Sequence, residues 1–450
     1  MRGVLLRVRL ETLGCRLNIS EIGHIGRQFV AGGHQVVGPD EPADVCILNT
    51  CAVTHTAARK SRQLMRHLKQ VHPGATMVVT GCYAELEREQ VAALGADIVV
   101  GNQEKDHLFR LVAQQFGTRQ IQDQTHVVQE PDYQRLYPGA RTRAFVKVQD
   151  GCDNRCTYCV VTIARGPARS RVADEIVAEV QHLETIGYRE VVLTGVHLGS
   201  YGHDIGDRHG IFHLTRRLFD ETDIPRLRLS SLEPWDLAID FFSHWENSRL
   251  GRHLHLPLQS GCDATLRRMA RRTTTKHFAQ LVSTARAAIP DLSVTTDLMV
   301  GFPGETEDEF IESLDFVEAM AFARTHIFRY SARPKTPAAS MPDQVPPEVA
   351  AERSQRAHQL GARMQRSFHH RFLGRTMDVL WETGEPKGAN LLWRGLTDNY
   401  LRVSAPEGPH LRNTITPVRL VAHTPTGLRG QILVTDQAPL LIPEAPVSQL

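Results

Sequence analysis

The sequence predicts an α/β protein with three parts: an N-terminal open parallel α/β sheet, a central partial (β/α)6 barrel and a small C-terminal all-β barrel. The first two parts follow from short apolar strands that alternate with amphipathic helices along most of the chain. The third follows from short strand-like stretches, separated by Gly and Pro turns, after Phe372. A chain of 450 residues also exceeds the ~250–300 residues at which a single core stops growing, so several domains are expected.

The changes of pattern along the chain predict where these parts begin and end. We expect an N-terminal domain over 4–118, a linker over 119–141, a central domain over 142–371, a barrel over 372–439 and a tail over 440–450. The linker is polar and contains Pro131 and Pro138, which is typical of a segment between domains. The tail is predicted to be disordered.

In the N-terminal domain, apolar runs of strand length are separated by patterns of helical period. The predicted strands are Leu5–Glu11, Val45–Leu48, Met77–Thr80 and Ile98–Val100. The predicted helices are Ser20–Ala31, Ala57–Val71 and Glu85–Leu94. Ser20 is a residue type that caps helices, so we expect it to begin the first one.

The central domain repeats the strand-helix pattern six times. Its predicted strands are Ala144–Gln149, Glu190–Thr194, Arg226–Ser230, His253–Leu256, Ser293–Met299 and Thr325–Tyr330. Helical patterns between them include Asp174–Ile186, Phe278–Ala288 and Asp308–Ala321. In the last part, the predicted strands are Met377–Trp381, Leu391–Leu396, Tyr400–Val403, Pro417–Ala422 and Gln431–Val434.

Cys152, Cys156 and Cys159 lie directly after the first strand of the central domain and form a compact three-thiolate set. A 4Fe-4S cluster takes four thiolates when fully ligated by protein, so three cysteines leave one iron open. The open iron can chelate the amino-acid end of S-adenosylmethionine, whose radical chemistry belongs to the cofactor. A structural zinc site or a disulfide is the alternative, but zinc sites usually pair one C-x2-C with a second distant pair.

Three other cysteines share a position relative to the N-terminal sheet. Cys15, Cys51 and Cys82 each follow a predicted strand. Because open α/β sheets place their ligand sites beyond the carboxyl ends of the strands, these residues are predicted to form a second three-cysteine cluster. Cys46 lies inside a strand and is assigned to the core, and Cys262 is assigned as a structural thiol that precedes a helix.

The loops after the central strands carry the candidate cofactor contacts, because barrel chemistry gathers at the carboxyl ends of strands. They are Tyr158, Thr194, Gly195, Ser231, Glu233, Gln259, Gly301 and Phe302. Tyr158 is a candidate to pack on an adenine, and Gly195 allows the backbone to approach the methionyl group. Glu233 and Gln259 suit the hydroxyl or amino-acid groups of the cofactor, although each is also a residue type found at helix ends.

Two groups of residues are candidates for contact with RNA. The first is Arg165, Arg169 and Arg171, which follow the three-cysteine motif and are suited to phosphates. The second is Trp393, Arg394 and Tyr400 in the small barrel, where the alternative is that the aromatic residues only fill the core. A further arginine run over 267–272 is interpreted as a solvated helix face.

Composition limits the classes of protein that the chain can belong to. With Lys+Arg 52 and Asp+Glu 50 the formal charge is +2, so contact with nucleic acid depends on local patches. Eight clustered cysteines are too few for a disulfide scaffold and predict metal chemistry in a reducing compartment, which implies the cytoplasm. The sequence shows neither a signal-peptide pattern nor a run of ~18 apolar residues, so we expect no membrane span.

Taken together, these motifs resemble those of the methylthiotransferases, which are radical S-adenosylmethionine enzymes. The resemblance rests on Thr12-Leu13-Gly14-Cys15-Arg16-Leu17-Asn18, Asn49-Thr50-Cys51, Thr80-Gly81-Cys82, the motif at 152–159, Leu256-Pro257-Leu258-Gln259-Ser260-Gly261 and Gly301-Phe302-Pro303-Gly304-Glu305-Thr306. It implies a radical 4Fe-4S cluster at Cys152, Cys156 and Cys159, and an auxiliary 4Fe-4S cluster at the other three cysteines. It also implies that one S-adenosylmethionine molecule supplies the radical and another the methyl group.

The resemblance also implies a substrate and partners. The segment Thr194-Gly195-Val196-His197-Leu198-Gly199-Ser200-Tyr201-Gly202 looks like that of the branch acting on threonylcarbamoyladenosine beside the tRNA anticodon. The implied partners are the tRNA anticodon stem-loop, an electron donor such as flavodoxin or ferredoxin, and a sulfur source. The alternatives are a methylthiotransferase acting on isopentenyladenosine or on a ribosomal-protein aspartate, and a non-catalytic iron-sulfur RNA-binding or sensor protein.

Overall fold

The computed structural model describes residues 5–116, 142–387, 390–406 and 411–433. The chain divides into two compact units, residues 1–365 and 366–450. The first unit contains the N-terminal sheet and the central barrel, and the second contains the small barrel. Among the described residues, no helix is long and apolar enough to cross a membrane.

The N-terminal sheet has five parallel strands in the order β2-β1-β3-β4-β5. The strands are β1 (Arg7–Thr12), β2 (Gln35–Val37), β3 (Val45–Thr50), β4 (Thr76–Gly81) and β5 (Ile98–Val99). The order reverses between β1 and β3, which is where open α/β sheets form a crevice beyond the strand ends. The predicted parallel sheet is thus confirmed.

Five helices flank this sheet: α1 (Arg16–Ala31), α2 (His55–Val71), α3 (Cys82–Leu86), α4 (Arg88–Ala93) and α5 (Leu108–Gln115). The predicted cap at Ser20 is wrong, because α1 begins one turn earlier and the hydroxyl of Ser20 accepts from the N–H of Lys147 at 3.0 Å. The predicted helix Glu85–Leu94 is interrupted at Glu87, whose backbone is not helical. Strand β2 and helix α5 were not predicted, since each is short.

The central barrel contains six parallel strands and one small antiparallel pair. The six are β6 (Arg143–Lys147), β9 (Glu190–Thr194), β10 (Arg226–Leu229), β11 (His253–His255), β12 (Ser293–Val300) and β13 (Arg324–Arg329). They pair as β10-β9-β6 and β11-β12-β13, and parallel bridges such as that between Ser231 and His255 link the two sheets. The small pair is β7 (Gln149–Asp150) with β8 (Arg169–Ser170). The predicted partial barrel is confirmed.

Helices cover the outside of these strands. They are α6 (Val161–Arg165), α7 (Ala173–Thr185), α8 (Gly210–Glu221), α9 (Asp263–Arg268), α10 (Thr275–Ala288), α11 (Glu307–Met320) and α12 (Pro347–His370). Side chains alternate along each strand. Val191 and Leu193 therefore join the apolar core under the helices, while Glu190 and Thr194 belong to the inner face. The inner face of the barrel is polar along most of its strands.

The second unit holds a closed five-stranded barrel in the order β14-β15-β16-β18-β17. Its strands are β14 (Thr376–Lys387), β15 (Asn390–Thr397), β16 (Arg402–Pro406), β17 (Ile415–Thr424) and β18 (Gly427–Ile432). The all-β prediction is confirmed, with two shifts of boundary. Tyr400 has a φ of 70° and so lies in a turn before β16, and the last strand begins four residues earlier than predicted. The predicted linker and tail lie outside the described residues.

Candidate active site

The loop that carries Cys152, Cys156 and Cys159, here called the radical triad, is fixed by backbone hydrogen bonds at both ends. The N–H of Cys152 donates to the carbonyl of Gly166 at 3.1 Å, and the N–H of Cys159 donates to the carbonyl of Cys156 at 3.0 Å. Between them, the N–H and hydroxyl of Thr157 donate to the carbonyls of Met269 and Arg268 at 3.1 and 2.9 Å. The three sulfurs are therefore presented by a loop held at several points.

The radical triad is suited to soft metal ligation. All three cysteines are free and half-buried. Burial raises the pKa of Cys159 to about 11, and the neighbouring charges of Cys156 and Cys152 add to that rise. Three free thiols on one short loop are the soft ligand set that an iron-sulfur cluster takes, so the residues present fit such a cluster.

A buried ion pair lies beside the radical triad. Arg271 and Glu233 form a two-pronged contact, with Nη2 to Oε2 at 2.6 Å and Nη1 to Oε1 at 3.2 Å. The guanidinium also lies 4.6 Å from the ring centre of Trp235, and its Nη1 is 4.0 Å from the sulfur of Cys156. The prediction that this arginine belongs to a solvated helix face is wrong, because its side chain is only 1% exposed. Glu233 therefore lies beside the radical triad and is held by Arg271, a partner that the sequence did not reveal, and its contact with the cofactor stays a prediction.

His197 forms a second polar contact with the radical triad. Its Nδ1 lies 3.8 Å from the sulfur of Cys152 and 3.2 Å from the amide nitrogen of Asn154, and its Nε2 bonds to Asp236. Burial lowers the pKa of His197, but the hydrogen bonds to Asp236 and Cys152 outweigh that effect and raise it to about 10. The carboxylate of Asp236 therefore favours a proton on this imidazole, which lies against one sulfur of the triad. Asp236 follows a strand end that the sequence pointed to, but its pairing with His197 is a tertiary contact.

Of the predicted contacts, Thr194 is the last residue of β9 and Gly195 follows it. A side chain at Gly195 would place its Cβ 2.9 Å from Oε1 of Gln149, so a larger residue there would displace the Gln149 side chain. That same oxygen accepts the N–H of His197 at 2.9 Å. Gln149 therefore connects the strand before the radical triad with the loop after β9.

Phe302 and Gly301 are less accessible than predicted. The ring of Phe302 is fully buried and packs edge to face on Tyr158 and Tyr330, with centroid distances of 6.5 and 5.4 Å. The N–H of Gly301 donates to Glu305 at 2.7 Å. The prediction that Phe302 contacts the cofactor directly is therefore wrong. Its ring instead supports Tyr158, which is half-buried and directly precedes Cys159 in the sequence.

Several polar atoms at the carboxyl edge of the barrel lack a partner. In the described residues, the hydroxyl of Ser230, the indole N–H of Trp235 and the hydroxyl of Tyr330 are buried without a hydrogen bond. Ser231 and Gln259 lie in the same layer: Ser231 pairs with His255, and the N–H of Gln259 donates to the carbonyl of Asp297 at 2.9 Å. Buried polar groups normally have partners, so this edge has the chemistry of a ligand cradle. It fits a polar cofactor such as S-adenosylmethionine.

Cys15, Cys51 and Cys82, here called the auxiliary triad, each follow a strand of the N-terminal sheet. Burial raises the pKa of Cys51 to about 11, and the charges of Cys82 and Cys15 raise it as well. A Cβ on Gly14 would lie 3.0 Å from the sulfur of Cys51, which shows how closely the first loop approaches the second. This donor set also fits an iron-sulfur cluster.

Asn18 and Arg165 connect the two triads. The amide of Asn18 donates to the carbonyls of Leu13 and Thr50 at 2.6 and 3.0 Å, which ties together the loops of Cys15 and Cys51. The guanidinium of Arg165 donates to the carbonyl oxygen of the Asn18 side chain at 2.9 Å. Arg165 also pairs with Glu21 at 2.8 Å and with Asp150, two residues before Cys152, at 2.9 Å.

Arg165 was predicted to contact RNA, and the structure corrects this. Its side chain is only 2% exposed and its charge is matched by two carboxylates. Arg171 is bound to Glu179 at 2.8 Å and to the carbonyl of Lys147 at 2.7 Å, whereas Arg169 is exposed. Arg169 and Arg171 both line a cavity of about 560 Å³ between α1 and the strands β7 and β8.

The RNA candidates of the small barrel differ in exposure. Trp393 is 2% exposed and fills the barrel core, as the alternative interpretation expected. Arg394 is half-buried, with 43% of its side chain exposed, and pairs with Glu385 at 2.8 Å. Tyr400 is half-buried in a turn. Of these three residues, Trp393 was therefore wrongly predicted to contact RNA, since its side chain packs inside the barrel.

Two family descriptions match the two halves of this site. Residues 146–317 match the Radical SAM superfamily, and residues 7–101 match Uncharacterized protein family UPF0004. Solved structures with a similar fold include the radical S-adenosylmethionine methyltransferase TsrM from Kitasatospora setae, with a TM-score of 0.56 at 15% identity over 75% of this chain and 77% of that one. The cobalamin-dependent radical enzyme OxsB has a TM-score of 0.51 at 12% identity, over 80% of this chain and 56% of that one.

Relatives similar over nearly the whole chain are methylthiotransferases. The threonylcarbamoyladenosine tRNA methylthiotransferase MtaB of Bacillus subtilis (strain 168) is 36% identical over 88% of this chain and 89% of its own length. The protein of the same name from Thermotoga maritima is 36% identical over 85% and 88%. The tRNA-2-methylthio-N(6)-dimethylallyladenosine synthase of Acidothermus cellulolyticus is 36% identical over 84% and 78%. The chain therefore belongs to the methylthiotransferase family of radical S-adenosylmethionine enzymes.

Proposed function

We propose that this chain adds a methylthio group to carbon 2 of N6-threonylcarbamoyladenosine next to the anticodon of tRNA. The observation that carries the proposal is the pair of cysteine triads, each at the carboxyl edge of its own parallel sheet and joined through Arg165. One triad suits radical generation and the other suits a sulfur donor. The choice of nucleoside is supported by the two 36% identical relatives named for it and by the loop that carries His197.

The residues beside the radical triad have separate tasks in this proposal. When bound, a 4Fe-4S cluster on Cys152, Cys156 and Cys159 would supply the electron that splits S-adenosylmethionine. Arg271, fixed by Glu233, holds a positive charge near Cys156 and thereby favours its thiolate form. His197, fixed by Asp236, does the same beside Cys152. Gly195 allows its loop to pack closely on Gln149, whose side-chain oxygen accepts the N–H of His197.

The auxiliary triad is proposed to hold a second 4Fe-4S cluster that takes part in sulfur delivery. Cys51 and Cys82 are buried whereas Cys15 is exposed, so one side of this site is open to incoming groups. An electron donor such as flavodoxin or ferredoxin and a separate sulfur source are the further partners in this proposal. We also propose the cytoplasm as the location, because reduced clusters and tRNA are found there together.

A second candidate substrate is the isopentenyl-type adenosine. It is favoured by the Acidothermus cellulolyticus relative, which is also 36% identical and is named for the dimethylallyl nucleoside. The two candidates differ in one chemical respect: the threonylcarbamoyl group carries a carboxylate and the isopentenyl group does not. A site that distinguishes them needs a cation facing the substituent.

The test is anaerobic reconstitution of the full chain with iron and sulfide, followed by reaction with S-adenosylmethionine, a strong reductant and a stem-loop RNA that carries threonylcarbamoyladenosine. Wild-type protein should bind two clusters, form deoxyadenosine and produce the methylthio nucleoside. Cys51→Ala should lose one cluster and the product but still form deoxyadenosine, whereas Cys156→Ala should lose both activities. Cys262→Ala, a buried cysteine outside both triads, is the matched control. Deoxyadenosine formation by Cys156→Ala would refute the assignment.

A further inference from the structure

The inner face of the central barrel is closed at one end and open at the other. At the amino end of the strands, the buried carboxylate of Glu190 is surrounded by Arg143, Arg226 and Arg228, which leaves no room for a ligand. Toward the carboxyl end, the inner face carries smaller or partly exposed side chains. A substrate that approaches the radical triad must therefore use this upper part.

Three polar side chains form a row across the upper part. Asp297 and His326 are register partners on β12 and β13, so they lie side by side on the same face. Oδ1 of Asp297 is 3.4 Å from Nε2 of His255, whose Nδ1 is bonded to the hydroxyl of Thr295 at 2.9 Å. The rings of His255 and His326 are 5.6 Å apart. The row offers both donors and acceptors of hydrogen bonds.

Phe328 follows this row on the same face of β13. It is 43% exposed, and no other phenylalanine or tryptophan in the described ranges is as exposed. Its register partner is Met299, and two residues further along the strand direction lies Tyr330 with its unpartnered hydroxyl. An exposed aromatic ring between a polar row and a ligand cradle is a surface on which a base can stack.

The surroundings of this row favour a neutral imidazole at His326. Partial burial and the charges of His255, Arg324 and Arg16 lower its pKa to about 4, although the carboxylate of Asp297 opposes this shift. A neutral imidazole can donate one hydrogen bond and accept another.

We propose that Phe328, His326 and Asp297 seat the adenine ring of the target nucleoside. Phe328 supplies the stacking face, and the imidazole of His326 and the carboxylate of Asp297 bond to the edge of the base. The proposal rests on the proposed function in taking an adenosine of tRNA as the target, but it does not depend on which substituent that adenosine carries.

The test measures the affinity of the reconstituted full-length protein for two stem-loop RNAs that differ only in the target nucleoside. One carries threonylcarbamoyladenosine and the other carries isopentenyladenosine. Phe328→Ala should weaken binding of both RNAs about tenfold, because stacking on an aromatic residue is worth about 1–3 kcal/mol per base, and Phe328→Tyr should restore it.

The control variant is Ile311→Ala, which removes an exposed apolar side chain on α11 away from the inner face and should bind like wild type. Circular dichroism and iron content show whether each variant is folded and loaded. Wild-type affinity in folded Phe328→Ala would overturn the seat for adenine. Tighter wild-type binding of the isopentenyl RNA would refute the proposed substrate, whereas the effect of Phe328→Ala would still decide whether the seat for adenine exists.

Discussion

Arg165 of the central barrel donates a hydrogen bond to Glu21 of the N-terminal sheet, with 2.8 Å between Nη1 and Oε1. Glu21 is also bound by Lys105 at 2.7 Å, so this carboxylate is shared between the two sheets. Although burial alone would raise the pKa of Glu21, the charges of Arg165 and Lys105 hold it well below its ordinary value. This buried ionic contact is therefore one of the interactions that fix the relative position of the two cysteine triads.

Arg165→Ala should loosen the attachment between the N-terminal sheet and the central barrel. Removing one partner of a buried ion pair costs about 3–5 kcal/mol, because the remaining carboxylates are left uncompensated. We expect a lower midpoint of thermal unfolding and faster proteolysis between the two sheets. Arg7→Ala, which removes a solvent-exposed pair with Asp44, is the control and should change little. Equal behaviour of the two variants would contradict the role of Arg165.

Glu190 should make the stability of the central barrel depend on acid pH. Burial raises its pKa, but the neighbouring Arg228 outweighs this and lowers it to about 2 from the usual 4.5. A lowered pKa means that the stabilisation is complete above pH 4.5 and is lost as the pH falls toward 2. Glu190→Gln should cost about 3–5 kcal/mol of unfolding free energy near neutral pH and flatten this dependence. Urea unfolding at a series of pH values measures the free energy of unfolding and its dependence on pH. If Glu190→Gln lost stability below pH 4.5 as steeply as wild type, the role of Glu190 would be contradicted.

Gly81→Ala should disturb the auxiliary triad while leaving the radical triad intact. Gly81 has a φ of 98°, and an added Cβ would lie 2.4 Å from the carbonyl of Thr50, next to Cys51. We expect the iron content after reconstitution to fall by one cluster, with deoxyadenosine formation retained. Gly74→Ala is the control, since Gly74 has open space around its Cβ position and an ordinary φ. A full iron content in Gly81→Ala would show that the backbone tolerates the change.

Deleting residues 372–450 should weaken binding of tRNA while leaving cleavage of S-adenosylmethionine intact. The deletion removes the five-stranded barrel and retains α12 and the first compact unit. Filter binding with tRNA and deoxyadenosine formation under strong reductant measure the two properties separately. Equal loss of both would show that the barrel is needed for folding.

The sequence was sufficient for features that depend on local pattern. Strand ends are set by local alternation, so the positions of Cys15, Cys51 and Cys82 beyond parallel strands could be predicted without knowing the packing. The three parts of the fold followed from the same alternation. Helices α8 and α12 were not predicted. In the long α12, apolar residues are too few to mark its period clearly.

The sequence was insufficient for side chains whose role depends on distant partners. Arg165 and Arg271 look like members of basic surface clusters, and their burial is explained only by Glu21, Asp150 and Glu233, which are far away in sequence. The exposure of Phe328 could not be predicted either, since a phenylalanine in a strand is normally buried. For His326 and Asp297, the register of β12 and β13 was the missing information.

The most direct test of the proposed function is mass spectrometry of nucleosides from the tRNA of a strain that lacks this gene. We predict that methylthio-threonylcarbamoyladenosine disappears, and that it returns when the wild-type gene is restored but not when the restored gene carries Cys51→Ala. An unchanged amount of this nucleoside in the deletion strain would contradict the proposed substrate.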